Sequence, residues 1–221
     1  MTTFPKKTDT EIRDLILAEL RWDTRVLPTE IGVAVRDGVV TLTGTVDSWA
    51  KKVAAREAAH RVDGVYDVAN DIGVHMPDAA RPTDTEIAAT VRSALEWDVL
   101  VPAEHIRSTV TQGMVTLEGE VEFWSQAEDA ERCLRNLTGV FGIINTIKVK
   151  NASLGGDVHR AIEEALGRHA ARAAHHVKID LDGSGVTVSG YVASWAERKA
   201  VLGAVRGTRG VAVIGDRLAI G

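Results

Sequence analysis

The sequence lacks the features that mark several classes of protein. Its single cysteine, Cys133, cannot form an intramolecular disulfide, and the helical pattern around it predicts that it packs as a small apolar residue. No apolar run approaches the roughly 18–20 residues that a membrane span requires. Residues 1–7 are polar and contain no apolar segment of a secretory signal, so we expect a cytoplasmic location.

Basic residues are also in deficit. The 26 Lys and Arg residues against 31 Asp and Glu residues give a formal net charge of −5. A dedicated nucleic-acid binder usually shows a basic field, so we expect no nucleic-acid partner.

The sequence contains three copies of one pattern of glycine, tryptophan and apolar residues. Gly38, Gly44, Trp49 and Gly64 recur at a spacing of 75 residues, and a third copy follows after a further 71. Solenoid and propeller repeats run about 20–50 residues, so this unit is long enough to be a small domain. We predict three domains, at 8–76, 82–150 and 154–221. The glycines expected to be structural are Gly38, Gly44, Gly64, Gly113, Gly119, Gly139, Gly185, Gly190 and Gly210.

Each copy begins with the pattern of an amphipathic helix followed by a hairpin. Thr8 and Glu11 predict a capping box, and Thr83 with Glu86 repeats it. Residues 37–38, Asp-Gly, predict a two-residue hairpin turn, which becomes Gln-Gly in the second copy and a longer turn at 182–185 in the third. Because Gly44 falls inside a strand, we expect a bulge or a close backbone approach there, as at Gly119 and Gly190.

A second helix and a last strand complete each copy. The apolar stripe of the second helix is rich in small residues, which favours close packing on a sheet. The last strands are predicted at 65–74, 140–149 and 211–220. The fold class is therefore α+β, with three tandem αββαβ modules that each pack two helices on a three-stranded mixed sheet. The pattern leaves open whether the last strand pairs with the first or the second.

These motifs resemble the BON domain family. The matching residues in the first copy are Asp-Gly-Val-Val-Thr-Leu-Thr-Gly-Thr-Val at 37–46, a helix near Trp49, and Gly-Val-Tyr-Asp-Val-Ala-Asn at 64–70. The second and third copies match at 114–121 with 139–145, and at 185–192 with 210–213. The resemblance implies a non-catalytic domain that binds phospholipid membranes, found in osmotic-stress proteins and in envelope assemblies. It leads us to expect peripheral attachment at the inner membrane face.

One tryptophan recurs at the start of the second helix in every copy. It lies about 130° from the centre of the apolar stripe, so it is not aimed squarely at the core. Tryptophan beside cations suits contact with anionic headgroups, and packing across its own module is the structural alternative. The candidate lipid- or partner-binding residues are Trp49, Lys51, Lys52, Trp124, Trp195, Arg198 and Lys199. Trp22 and Trp97, which end the first helix, are interpreted as boundary or core residues.

No catalytic or metal-binding set emerges. No position carries a histidine in all three copies. His169, His175 and His176 are a weak metal candidate, because adjacent residues rarely chelate together and no Cys or carboxylate cluster joins them. We therefore predict no enzyme activity, no cofactor and no metal.

The partner expected from the sequence is an anionic phospholipid surface or an envelope-associated protein. The alternatives are a soluble protein–protein adaptor or self-assembling homo-oligomer, and a sensor of a small ligand or ion with a pocket between modules.

Overall fold

The computed structural model describes residues 7–77, 81–150, 158–169, 176–182 and 185–221. The chain forms two compact units. The first contains Met1–Met76, Ala193–Ala196 and Ile220–Gly221, and the second contains Pro77–Val192 and Glu197–Ala219. The predicted start of the third domain at 154, His175 and the turn residues 183–184 lie outside the described residues.

The first two repeats share one order of elements. Each first helix begins with the predicted capping box: the Thr8 amide donates to Glu11 at 2.7 Å, and the Glu11 amide donates back to the Thr8 hydroxyl at 3.3 Å. The second repeat has the same box at Thr83 and Glu86. The elements of the first repeat are α1 (Asp9–Trp22), β1 (Ile31–Arg36), β2 (Val39–Val46), α2 (Trp49–His60), β3 (Asp67–Asn70) and β4 (Gly73–Val74). Those of the second are α3 (Asp84–Trp97), β5 (Ile106–Thr111), β6 (Met114–Val121), α4 (Trp124–Leu134), β7 (Gly142–Asn145) and β8 (Lys148–Val149).

The sheets are mixed, with the second strand of each repeat in the centre. β1 pairs with β2 antiparallel, and both β3 and β4 pair with β2 in parallel. The second repeat has the same pairing among β5, β6, β7 and β8. The last strand therefore pairs with the second, which settles the alternative that the sequence left open.

The predicted last strand of the first two repeats is interrupted. Asn70 lies at the break: its side-chain amide donates to the Lys52 carbonyl of α2 at 2.9 Å, and its side-chain oxygen accepts from the Ile72 amide at 3.4 Å. Asn145 does the same, with the Ala127 carbonyl at 2.8 Å. One side chain thus ties the last strand to the second helix at the interruption. The sheets of the first two repeats have four strands each, in place of the predicted three.

The third repeat keeps its last strand whole. Its elements are α5 (Val158–His169), β9 (Val177–Asp182), β10 (Gly185–Val192), α6 (Trp195–Arg206) and β11 (Val213–Ile220), with sheet order β11-β10-β9. Asp216 stands where the other repeats have asparagine, and it accepts from Arg198 of α6 at 2.7 Å. An ion pair replaces the amide–carbonyl tie.

The core of the first repeat lies between its two helices and its sheet. Ile12, Ile16 and Leu20 of α1 are buried, and they meet the buried alanines of α2. The alanines are Ala54, Ala55, Ala58 and Ala59. Small side chains allow the helix axis to approach the sheet closely, as the sequence predicted.

The hairpin turn between β1 and β2 is stabilised by a side chain of α1. Asp37 and Gly38 have φ values of 51° and 77°, which is the left-handed geometry of a type I′ turn. The carboxylate of Asp9 accepts from both turn amides, at 2.8 and 3.0 Å. Asp84 holds the second-repeat turn in the same way. Gly44, at φ 123°, has no room for a Cβ because the Glu30 carbonyl oxygen occupies that space.

Candidate functional site

The recurring tryptophans are half-buried. Trp49, Trp124 and Trp195 are the first residues of α2, α4 and α6. The indole nitrogens of Trp49 and Trp124 are buried and have no hydrogen-bond acceptor among the described residues. The tryptophans therefore act largely as packing groups in the structure.

Trp195 packs within the first unit although it belongs to the third repeat. Its ring stacks on His60, with centroids 4.0 Å apart and planes inclined by 12°. It also packs against the core of the first repeat. Trp195 is thus not a free surface ring.

Trp124 has an equivalent contact inside the second unit. The guanidinium carbon of Arg206 lies 5.7 Å from the ring centroid, within cation–π range. Arg206 also pairs with Glu128 at 2.8 Å. Arg206 ends α6 at the position that His60 occupies in α2, so the two contacts are equivalent in the repeats.

Most of the predicted cations have intramolecular partners. Lys51 pairs with Asp47 at 2.6 Å, and this bond holds the pKa of Asp47 below its usual value. Lys52 lies 5.9 Å from the ring centroid of Trp49. Arg198 forms its ion pair with Asp216, and Lys199 is exposed. The binding role of these residues stays a prediction.

The exposed tryptophans are the other two. The exposed fraction of Trp22 is 84% and that of Trp97 is 86%. The interpretation of these residues as core is wrong; they are the last residues of α1 and α3 and point away from both cores. The helical pattern could have shown this, since Trp22 lies two residues after buried Leu20 and Trp97 two after buried Leu95, which places each ring on the opposite helix face.

Trp22 borders a network of charges. Asp23, whose side chain is only 7% exposed, accepts from Arg25 at 2.8 Å and from Arg61 at 3.0 Å. Hydrogen bonds from Arg25 chiefly, and from Arg61, hold the pKa of Asp23 far below its usual value. The arginines pair in turn with Glu57 and Glu19. Besides Trp22, the exposed apolar side chain of this segment is Leu27. We call Trp22 and Leu27 the first tryptophan patch.

Trp97 borders apolar side chains instead. Val99 is 95% exposed and Leu100 is also exposed. The Asp98 carboxylate accepts from the Leu100 amide at 3.0 Å, and Val101 is buried beneath, so this segment is held in place. We call Trp97, Val99 and Leu100 the second tryptophan patch.

The second unit also contains a cavity of about 180 Å³. The segment around the start of α4 forms one wall, and the end of α6 with the loop after it forms the other. Arg206, Arg209, Phe123 and Trp124 are among its lining residues. It is a pocket between the second and third repeats.

Two kinds of feature are absent from the part of the chain that the structure describes. Among the residues that the structure describes, no three His, Cys, Asp or Glu side chains are grouped so that they could hold a metal ion. Within the described ranges, no helix is long and apolar enough to cross a membrane.

The repeats, the αββαβ order and the glycine positions together define a class. The model of the BON domain matches residues 8–76, 83–151 and 156–221. The chain belongs to the BON domain family.

Two relatives extend this result. The chain is 30% identical over 148 residues to osmotically-inducible protein Y of Escherichia coli K12, covering 64% of this chain and 73% of that protein. It is 25% identical over 129 residues to an uncharacterized protein in the gshII 5′ region of Anaplasma centrale, covering 57% and 85%.

Solved structures give a weaker likeness. A chain of CdsD, a structural protein of the type III secretion system of Chlamydia trachomatis, aligns over 94% of this chain and 91% of its own, at 12% identity and a TM-score of 0.26. A C-terminal domain of CdsD aligns over 97% and 100%, at 11% identity and the same TM-score. Likeness at this level supports no inference about function.

Proposed function

We propose that this chain is a non-enzymatic protein that attaches peripherally to a phospholipid surface through its two tryptophan patches. The observation that carries the proposal is the exposure of Trp22 and Trp97, at 84% and 86%. An exposed indole at an equivalent position of two repeats is costly in water. It has the shape and polarity of a side chain that lies at a membrane interface.

The size of the patches supports this proposal. Trp97, Val99 and Leu100 lie within four residues, and all three are exposed. Burial of one large apolar side chain contributes about 1.5–3 kcal/mol. Two such patches on one chain act together, because attachment of one raises the effective concentration of the other at the surface.

The charges favour insertion over electrostatic attraction. The net charge is −5, and Lys51 and Arg198 are already in ion pairs. Attraction to anionic headgroups is therefore a minor contribution in this proposal, and binding depends only weakly on salt. Anionic lipid remains within the proposed range of surfaces, with Arg21, which is exposed and precedes Trp22 in the chain, as a candidate cation.

The proposal also includes a physiological role and a cellular location. A relative that is named as osmotically inducible supports a stress-related role. A cytoplasmic location at the inner membrane face suits a chain that contacts lipid through side chains alone. An envelope-associated protein or a second copy of the chain is the competing partner, and a nucleic acid is not proposed.

The test is co-sedimentation of the full chain with phosphatidylcholine vesicles, with and without phosphatidylglycerol. The double variant W22A/W97A should lose binding to both. Val39→Ala is the matched control, because Val39 is an exposed apolar residue on β2 outside both patches; it should leave binding unchanged. The variant K52Q/K199Q tests the competing site predicted from the sequence.

The outcomes separate the alternatives. Loss of binding in W22A/W97A alone supports the proposal. Loss in K52Q/K199Q alone moves the lipid contact to the second helices. No binding of the wild-type chain to either vesicle contradicts the proposal and favours a protein partner for the patches.

A further inference from the structure

We propose that the cavity between the second and third repeats binds a small ligand through a phosphate monoester group. The cavity lies wholly within the second unit and has a volume of about 180 Å³. It is separate from both tryptophan patches, so the inference goes beyond membrane attachment and does not depend on it.

The charge of the wall favours an anion. Arg206 and Arg209 both line the cavity, and Glu122 is the only carboxylate in the lining. Of the two arginines, only Arg206 forms an ion pair with a described residue, Glu128. Arg209 places its guanidinium 5.8 Å from the ring of Phe123, which leaves its N–H donors for a ligand.

Arg206 also carries an unsatisfied donor. Its Nε atom is buried and has no hydrogen-bond partner among the described residues. A buried donor without an acceptor is costly and calls for an ion, a water or a ligand group nearby. A phosphoryl group that draws the guanidinium toward the cavity would supply the missing acceptors, and the fork of an arginine matches two phosphoryl oxygens.

The opposite wall includes the start of a helix. Trp124 and Ser125 are the first two residues of α4, which has 11 residues and no acidic side chain in its first turn. The first amides of a helix have no partner within it, and they lie at the positive end of the helix dipole. The lining thus combines two arginines with the N-terminus of a helix.

The remaining surfaces indicate the size of the ligand. The rings of Phe123 and Trp124 offer apolar surface to an organic part. Pockets for drug-sized molecules measure about 300–1,000 Å³, so this one suits a short phosphate ester.

The equivalent junction in the first unit lacks the pair of arginines. His60 and Asp63 occupy the repeat positions of Arg206 and Arg209. His60 stacks on Trp195 as Arg206 stacks on Trp124. The packing of a tryptophan against the end of a second helix is therefore common to both units. The pair of arginines belongs to the second unit alone, which indicates a function beyond packing.

The experiment is calorimetric titration of the full chain at physiological ionic strength. The probes are inorganic phosphate, glycerol phosphate, and phosphatidylcholine vesicles with and without phosphatidic acid. We expect saturable binding of glycerol phosphate that Arg209→Gln weakens about tenfold. Arg217→Gln is the control, because Arg217 is an exposed arginine of the same repeat outside the cavity.

Each outcome of the titration either supports or overturns the proposed phosphate site. Binding that R209Q weakens and R217Q leaves intact supports the site. If only vesicles with phosphatidic acid bind, and do so through Arg209, the site is supported and its phosphate is a lipid headgroup. Absence of saturable binding of every probe overturns the inference, and so does equal binding by wild type and R209Q. W22A/W97A should bind glycerol phosphate normally, which separates this site from the membrane proposal.

Discussion

The first and second repeats share a backbone but differ around the tryptophan that ends the first helix. In the first repeat, Trp22 is followed by Asp23 and Arg25, which belong to an ion-pair network. In the second, Trp97 is followed by Asp98, Val99 and Leu100, two of them apolar and exposed. The difference shows that one fold can present an exposed indole in two surroundings. The residues that follow the tryptophan, which we call its rim, are charged in the first repeat and apolar in the second. The second patch should therefore dominate insertion into lipid. The ion-pair network beside the first patch should stabilise the first repeat.

The largest expected effect is on that stability. Asp23→Asn should destabilise the first repeat by about 1–3 kcal/mol, because the variant removes the charged acceptor that Arg25 and Arg61 share. The two arginines then keep their separate pairs with Glu57 and Glu19. Hydrogen exchange of the α1 amides measures this opening separately from that of α3. In the matched change of the second repeat, Asp98→Asn, the described residues show no arginine paired with Asp98, whose carboxylate accepts from the Leu100 amide. This change should therefore have little effect on α3. Equal effects of the two changes would show that the network contributes nothing.

Acid should reproduce this effect without a mutation. The folded pKa of Asp23 is lowered, chiefly by the hydrogen bond from Arg25. The group therefore contributes stability above its unfolded pKa of about 3.9, and this stability is lost as pH falls below that value toward the folded pKa. We expect protection of the α1 amides in wild type to fall more steeply than that of α3 on acidification, and D23N to remove the difference. A parallel fall in both helices would contradict this.

The next largest effect is on membrane binding. Trp97→Ala should weaken partitioning into phosphatidylcholine vesicles about tenfold, since one large apolar contact is lost. Trp22→Ala should weaken it less, because its neighbours are charged. The measurement is a vesicle titration followed by sedimentation. A stronger effect of W22A than of W97A would reverse the assignment of the dominant patch.

A smaller effect should come from making the first rim resemble the second. Arg25→Leu places at position 25 the residue that stands at position 100, and it should strengthen vesicle binding about threefold by adding apolar area. The reciprocal change, Leu100→Arg, should weaken binding by a similar factor. If both variants bind as wild type does, the rim residues do not enter the lipid.

The smallest effect concerns Cys133. Burial chiefly, and the nearby Asp98 charge, raise the pKa of this thiol to about 11. At pH 8 only about one thiol in a thousand is then the reactive thiolate, so alkylation by iodoacetamide should be slow. Removal of the charge in D98N should lower this pKa slightly and speed alkylation. Unchanged alkylation in D98N would show that Asp98 does not act on the thiol.

Much of this fold follows from the sequence because its signals are local and repeated. The Thr8–Glu11 capping box and the Asp37–Gly38 turn each depend on residues close in the chain. Repetition in the second copy strengthens each inference. The same locality explains why the helices, the hairpins and the fold class could be predicted.

What could not be predicted depends on residues far apart in the chain. The tie between the Asn70 side chain and the Lys52 carbonyl joins residues 18 positions apart. Trp195 stacks on His60 of another repeat. Its environment could therefore not be predicted from the sequence of the third repeat alone. The position of Trp22 within α1 is enough to predict that it lies on the outer face of the helix. The charged and apolar surroundings of Trp22 and Trp97 could not be predicted, because they depend on how the loops after the helices fold.

The most direct test of the account is quenching of tryptophan fluorescence by brominated phosphatidylcholine vesicles, for wild type, W22F, W97F and W49F. The account predicts that lipid bromine quenches wild type and W49F alike, that quenching falls most in W97F, and that it falls by a smaller amount in W22F. Quenching that is lost in W49F and kept in W97F would contradict it, and would place the lipid contact at the start of the second helix.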